Sequence, residues 1–195
     1  MKLIASCLFL VLSLNVLALP TASISKMRGD VFYNGEKLSK SSVIEKSGLL
    51  TTGRSSFVKI FIKDWNSSII LGPKGEMKID LSSKKVKKKY SFLRGSCRWI
   101  TTKGKKAKGA VFTNNAALGV RGTDYILKVT KLLGETEIVV IDGKVEFKNT
   151  GNPDDVALIS KGQWGGLGGR YGKTIGEVLD LPANVVSAFD RQLKL

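Results

Sequence analysis

The residues able to do chemistry are few, and their spacing argues against catalysis. The 195-residue chain has no His, two Cys, 32 Lys+Arg and 16 Asp+Glu, for a net charge of +16. Without imidazole the commonest metal ligand and the commonest neutral-pH base are both missing. Ser-His-Asp triads, Cys-His pairs and His-containing zinc sites are thereby excluded. Two cysteines make neither a disulfide framework nor a four-Cys zinc site. Asp154-Asp155, behind Asn152-Pro153, pairs two carboxylates with no third acid near in sequence. It reads as a solvated turn rather than a calcium or acid–base site. Gly162-Gln163-Trp164-Gly165-Gly166-Leu167-Gly168-Gly169 is rich in glycine but lacks the Gly-Lys-[Ser/Thr] ending of a phosphate loop, and reads as a flexible exit. The expectation is a protein that is not an enzyme and uses no cofactor or metal.

The cations are unevenly placed. Residues 74–131 hold 16 Lys/Arg and only Glu76, Asp80 and Asp124 as acids. Two runs stand out: Lys84, Lys85, Lys87, Lys88 and Lys89, then Lys103, Lys105, Lys106 and Lys108. Such runs attract polyanions and release counterions on binding. They also keep strand edges soluble and unpaired. No helix-turn-helix pattern, Cys/His finger or paired stacking aromatics accompanies them, so no specific nucleic-acid partner is expected. Tyr90, Phe92 and Trp99 alternate within the basic region and read as core.

The elements that must carry these residues are short strands. Val58, Ile60 and Ile62 recur at period two, as do Met77, Ile79 and Leu81, then Val145 and Phe147. Thr123, Tyr125, Leu127 and Val129 form another stripe, and Thr136–Ile141 is a more fully buried run. Turn signals such as Asn34-Gly35 and Asp142-Gly143 separate them at roughly ten-residue spacing. Gly53-Arg54-Ser55-Ser56-Phe57 and Arg121-Gly122-Thr123-Asp124-Tyr125 each launch a similar strand pair, a faint internal repeat. The fold expected is all-β, with short strands stacked as a β-solenoid-like body or a sandwich. Val185 or Val186, Phe189 and Leu193 behind Pro182 predict one short C-terminal helix over 183–193.

Residues 1–18 read as a signal peptide: Lys2, the apolar stretch Leu3–Leu14, and Val16 and Ala18 as small residues before a cleavage site. Ala22 is the alternative site. The mature chain is then expected in the periplasm or outside the cell, with no membrane span. Cys97 is left without an intrachain partner and is expected to be buried. Residues 19–28 read as a linker, 29–165 as the β domain, and 166–195 as a Gly-rich exit plus the helix.

Ala116-Ala117-Leu118-Gly119-Val120-Arg121-Gly122-Thr123-Asp124-Tyr125 resembles the signature of the FecR domain family, with Val120, Arg121, Gly122 and Thr123 as its core. Gly29-Asp30-Val31, Leu50–Ser56, Asp142-Gly143-Lys144-Val145 and Lys161-Gly162-Gln163 follow the family pattern in order. The resemblance implies an exported stack of strands used for protein contact, here with an unidentified envelope protein. Family members that regulate sigma factors carry a cytoplasmic segment and a membrane helix. A signal peptide stands in their place here, so that role is not carried over. In the motif, Gly122 permits backbone that a Cβ forbids. Thr123 is expected to hydrogen-bond locally, and Arg121 to clamp the corner, with Asp124 or Asp64 as carboxylate. The competing reading is a binder of anionic envelope polymers, such as lipopolysaccharide or an acidic wall polymer, through the two lysine runs.

Overall fold

The computed structural model describes residues 21–62, 66–82, 88–102, 106–168 and 172–194. Its strands make two facing layers, a front and a back sheet, and the chain alternates between them. It starts in front with β1 (Ala22–Arg28), the stretch expected to be a linker. It turns into the back sheet for β2 (Val31–Tyr33) and β3 (Glu36–Lys37), touches the front with β4 (Val43–Ile44), and returns to the back for β5 (Gly48–Thr52). A front hairpin follows, β6 (Phe57–Ile62) and β7 (Ser67–Leu71), then β8 (Glu76–Ile79) in the back.

Strand β9 (Tyr90–Thr101) belongs to both layers. Its first part pairs with β8 in the back, and its last part with β7 in the front. The second half then repeats the scheme. A back hairpin, β10 (Lys106–Phe112) and β11 (Ala116–Arg121), leads to a front hairpin, β12 (Asp124–Val129) and β13 (Thr136–Asp142). After β14 (Lys144–Asn149) and β15 (Val156–Ser160) in the back come β16 (Gln163–Leu167) and β17 (Leu179–Asp180) in front. Helix α1 (Ala183–Arg191) closes the chain.

Both sheets therefore grow in nearly chain order. The front runs β4-β1-β6-β7-β9-β12-β13-β16-β17 and the back β3-β2-β5-β8-β9-β10-β11-β14-β15. This is a sandwich that advances as a solenoid does, so the two expected architectures are two aspects of one fold. The internal repeat is structural: β5 pairs β8 around hairpin β6–β7 just as β11 pairs β14 around hairpin β12–β13. Between the halves β9 and β10 make the one parallel pairing among the described residues, Val111 beside Tyr90 and Phe112 beside Ser91.

The core lies between the layers and follows the period-two reading. Val58, Ile60, Ile62, Met77, Ile79, Tyr125, Leu127, Val145 and Phe147 are buried in one cluster. Tyr90 and Trp99 meet edge to face at 4.4 Å there, an aromatic geometry favoured by the ring quadrupole. The glycine-rich stretch expected to be a flexible exit is instead mostly strand β16. Gly165 lies directly under the Ile159 side chain and Gly166 against the Trp164 ring, so the missing side chains serve close packing.

Candidate interaction surface

The front sheet carries a row of residues on its outer face. Ile70 on β7 is opposite Arg98 on β9, Arg98 opposite Ile126 on β12, Ile126 opposite Val139 on β13, and Val139 opposite Trp164 on β16. Each alternates with core residues, so period two alone would place them in solvent. Yet Ile70, Arg98, Ile126 and Val139 are no more than 5% exposed. What covers them is α1 and the tail behind it: Phe189 and Gln192 stand over Ile126, Val139 and Trp164, and Leu193 packs on Gly72.

Arg98 pins this cover. Its Nε and Nη2 donate to the Asp124 carboxylate at 2.9 and 2.7 Å. Its Nη1 donates to the Asp190 main-chain carbonyl at 2.6 Å, and Nη2 to the Asp190 carboxylate at 2.7 Å. These bonds, led by those to Asp124, raise the already high guanidinium pKa against the cost of burial. The Asp190 carboxyl is held below the usual range, first by Lys194 and then by Arg98. A planar fork of five donors suits this four-bond pattern as Lys would not. Sequence reasoning missed this role of Arg98. The signal it could have used was a charged residue at an alternating position of the longest described strand. Cys97 itself faces the core, fully buried, and burial pushes its thiol up, away from reactivity.

At Val120-Arg121-Gly122-Thr123 the chain leaves β11 for β12. Gly122 has φ +59°. The side chains of Val120 and Arg121, and Asp64, lie outside the described residues. The described groups place Asp124 on Arg98. Thr123 departs from expectation: its hydroxyl is buried without a hydrogen-bond partner among the described residues. It heads the inward stripe, and its main-chain carbonyl accepts from Thr101 N–H at 2.9 Å. At the matching first-half corner, the Ser56 hydroxyl accepts from Asp30 N–H at 2.8 Å.

Of the lysine runs, Lys84, Lys85, Lys87, Lys103 and Lys105 lie outside the described residues, and only the backbone of Lys106 and Lys108 is described. Lys88 and Lys89 line a cavity of about 480 Å³ with Lys78, Asp80, Ser47 and Asn34. Lys88 also stands 5.3 Å over the Phe112 ring. Lys89 is 2% exposed and helps hold the Asp80 carboxyl low, after the Ser82 and Ser47 hydrogen bonds. It serves the protein's own carboxylate rather than the surface. Asp155, expected in a solvated turn, accepts from Asn149 Nδ2 at 2.9 Å and Ile175 N–H at 2.8 Å, tying down the tail.

The two sheets end unevenly. Strand β15 pairs with β14 and has no strand on its other edge among the described residues. Val156 and Leu158, 45% and 59% exposed, lie along it. Leu179 on β17, the last front strand, is 45% exposed.

A family profile described as FecR protein matches residues 48–146. The chain belongs to the FecR family. The matched span opens on the first residue of β5 and closes inside β14, so the FecR signature covers both structural repeats and the seam between them. No curated protein sequence matches the chain. Among solved structures, two crystal structures of a candidate anti-sigma factor from Parabacteroides distasonis ATCC 8503 share the fold. The 1.65 Å structure gives a TM-score of 0.60 at 15% identity over 74% of this chain and 65% of that one. The 2.50 Å structure gives 0.57 at 16% identity over 74% and 64%. This FecR chain thus spans about 65% of the length of those relatives. None of its described helices is long and apolar enough to cross a membrane.

Proposed function

We propose that this FecR-family chain is an exported, non-catalytic module that binds another protein of the cell envelope. The observation that carries the reading is the bare apolar edge of β15. A strand with one edge unpaired among the described residues, and with Val156 and Leu158 exposed, is a template for another strand. Proteins usually blunt such an edge with lysines, and this lysine-rich chain has none on β15. Main-chain hydrogen bonds would give affinity, and the two apolar side chains specificity. Family membership and the fold of the candidate anti-sigma factor support a regulatory protein-contact role over catalysis. The test is Val156→Lys with Leu158→Lys. Melting should be unchanged, because both side chains are exposed, while a defined partner captured from native envelopes is lost. Retention of that partner would refute the edge.

One observation favours a second reading, an anionic-polymer binder. Lys88-Lys89 precede Tyr90 directly, and Lys108 stands three residues before Val111, its parallel partner. The described ends of the two runs, Lys88-Lys89 and the backbone of residues 106–108, therefore enter neighbouring strands from the same end. Charge reversal at Lys85, Lys87 and Lys88 should then weaken salt-sensitive retention on heparin and leave the protein partner bound.

A further inference from the structure

The row Ile70–Arg98–Ile126–Val139–Trp164 is built to hold a helix, and α1 is poorly matched to it. The helix has nine residues, follows Pro182 at its N-cap without a side-chain capping bond, and contains no buried residue. Helices of this length are marginal on their own. What it covers, by contrast, is almost fully buried. Beside Phe189 a groove of about 250 Å³ stays open along Ser96, Ile126, Lys128, Glu137, Val139 and Trp164. Arg98 recognises two features of α1: a main-chain carbonyl at its C-terminal end and a carboxylate in its last turn. The carbonyl belongs to the negative end of the helix dipole, the carboxylate is a side chain, and a helix with an acid in its last turn offers both.

We propose that the outer face of the front sheet is a helix-binding site that α1 occupies in the resting chain, and that an amphipathic helix of a partner protein displaces α1 there. The partner helix carries apolar residues at i, i+3 and i+4 and an acid in its last turn, and is long enough to fill the groove beside Phe189. This face is separate from the β15 edge, and its assay needs no envelope partner, so the edge reading and this one fail independently.

The probe is a fluorescein-labelled peptide of residues 178–194, titrated into the full chain and into a Phe189→Ala/Asp190→Ala variant whose own helix is weakened. The variant should bind at least tenfold more tightly than the wild-type chain, since its tail competes less. Adding Arg98→Met should abolish the gain. No binding to a folded variant, equal binding to both chains, or indifference to Arg98→Met would overturn the proposal. Hydrogen exchange on the wild-type chain keeps the question open to decision if the variant misfolds. The amides of 185–191 should exchange through local opening at least a hundredfold faster than those of β9. Protection equal to β9 would overturn it.

Discussion

Gly95 sits where β9 leaves the back sheet for the front. Its φ of +96° is one L residues rarely adopt, and a Cβ there would lie 2.8 Å from Gly75 Cα. Gly95→Ala should therefore cost about 2 kcal/mol or more, lowering Tm by about 4–8 °C for a chain of this size; an unchanged melt would show that the bend is not required. The Tyr125 hydroxyl is buried and has no hydrogen-bond partner among the described residues. Burial, the leading cause, drives its pKa well up. Removing it in Tyr125→Phe should stabilise the protein by about 1 kcal/mol. A lower Tm in calorimetry would mean that the hydroxyl is engaged after all. Sequence could assign Tyr125 to the core from its stripe, but not reveal its unmet hydroxyl. Satisfaction depends on neighbours that period and spacing do not name. Arg98 was hidden for the same reason: its carboxylates come from Asp124 and from Asp190, far along the chain.

Among the elements, α1 is held by charge as much as by packing. Arg98 of β9, itself paired with Asp124 of β12, and Lys194 flank the Asp190 carboxylate. Because its folded pKa is depressed, its contribution is complete above the ordinary aspartate value of about 4. It is lost as pH falls through the lower native value. Methyl NMR of Val185 and Val186 should report release of α1 below about pH 4, and Asp190→Asn should remove that step. Unmoved methyl signals down to the pH where the sandwich itself unfolds would contradict the ion-pair account. The helix was legible from apolar residues at helical spacing and ends two residues short of the predicted 193. Its docking face was not legible. Ile70, Ile126 and Val139 stand at outward positions of their strands, and only the returning tail makes them interior. Residues 22–28 were missed as a strand because Ile24 and Met27 break the period, and the pairing with β6 shifts register between Ile24 and Lys26.

Across the whole molecule, hydrophobic alternation and turn residues were enough to read an all-β body and a repeat, because each strand buries one face against a neighbour close in sequence. They could not separate sandwich from solenoid, since chain-order growth in two facing sheets satisfies both patterns. The FecR assignment covers the repeated body, while the features proposed for binding, the β15 edge and the α1 face, lie partly or wholly beyond the matched span. The central claim is that this body works by touching another protein. It is tested most directly by a photo-crosslinking residue placed at Leu158 in the native cell, with Lys88 as the comparison position. The account predicts one discrete protein adduct from Leu158, lost when Val156 is changed to Lys. Adducts only to lipid or polysaccharide, or protein adducts from Lys88 but none from Leu158, would contradict it.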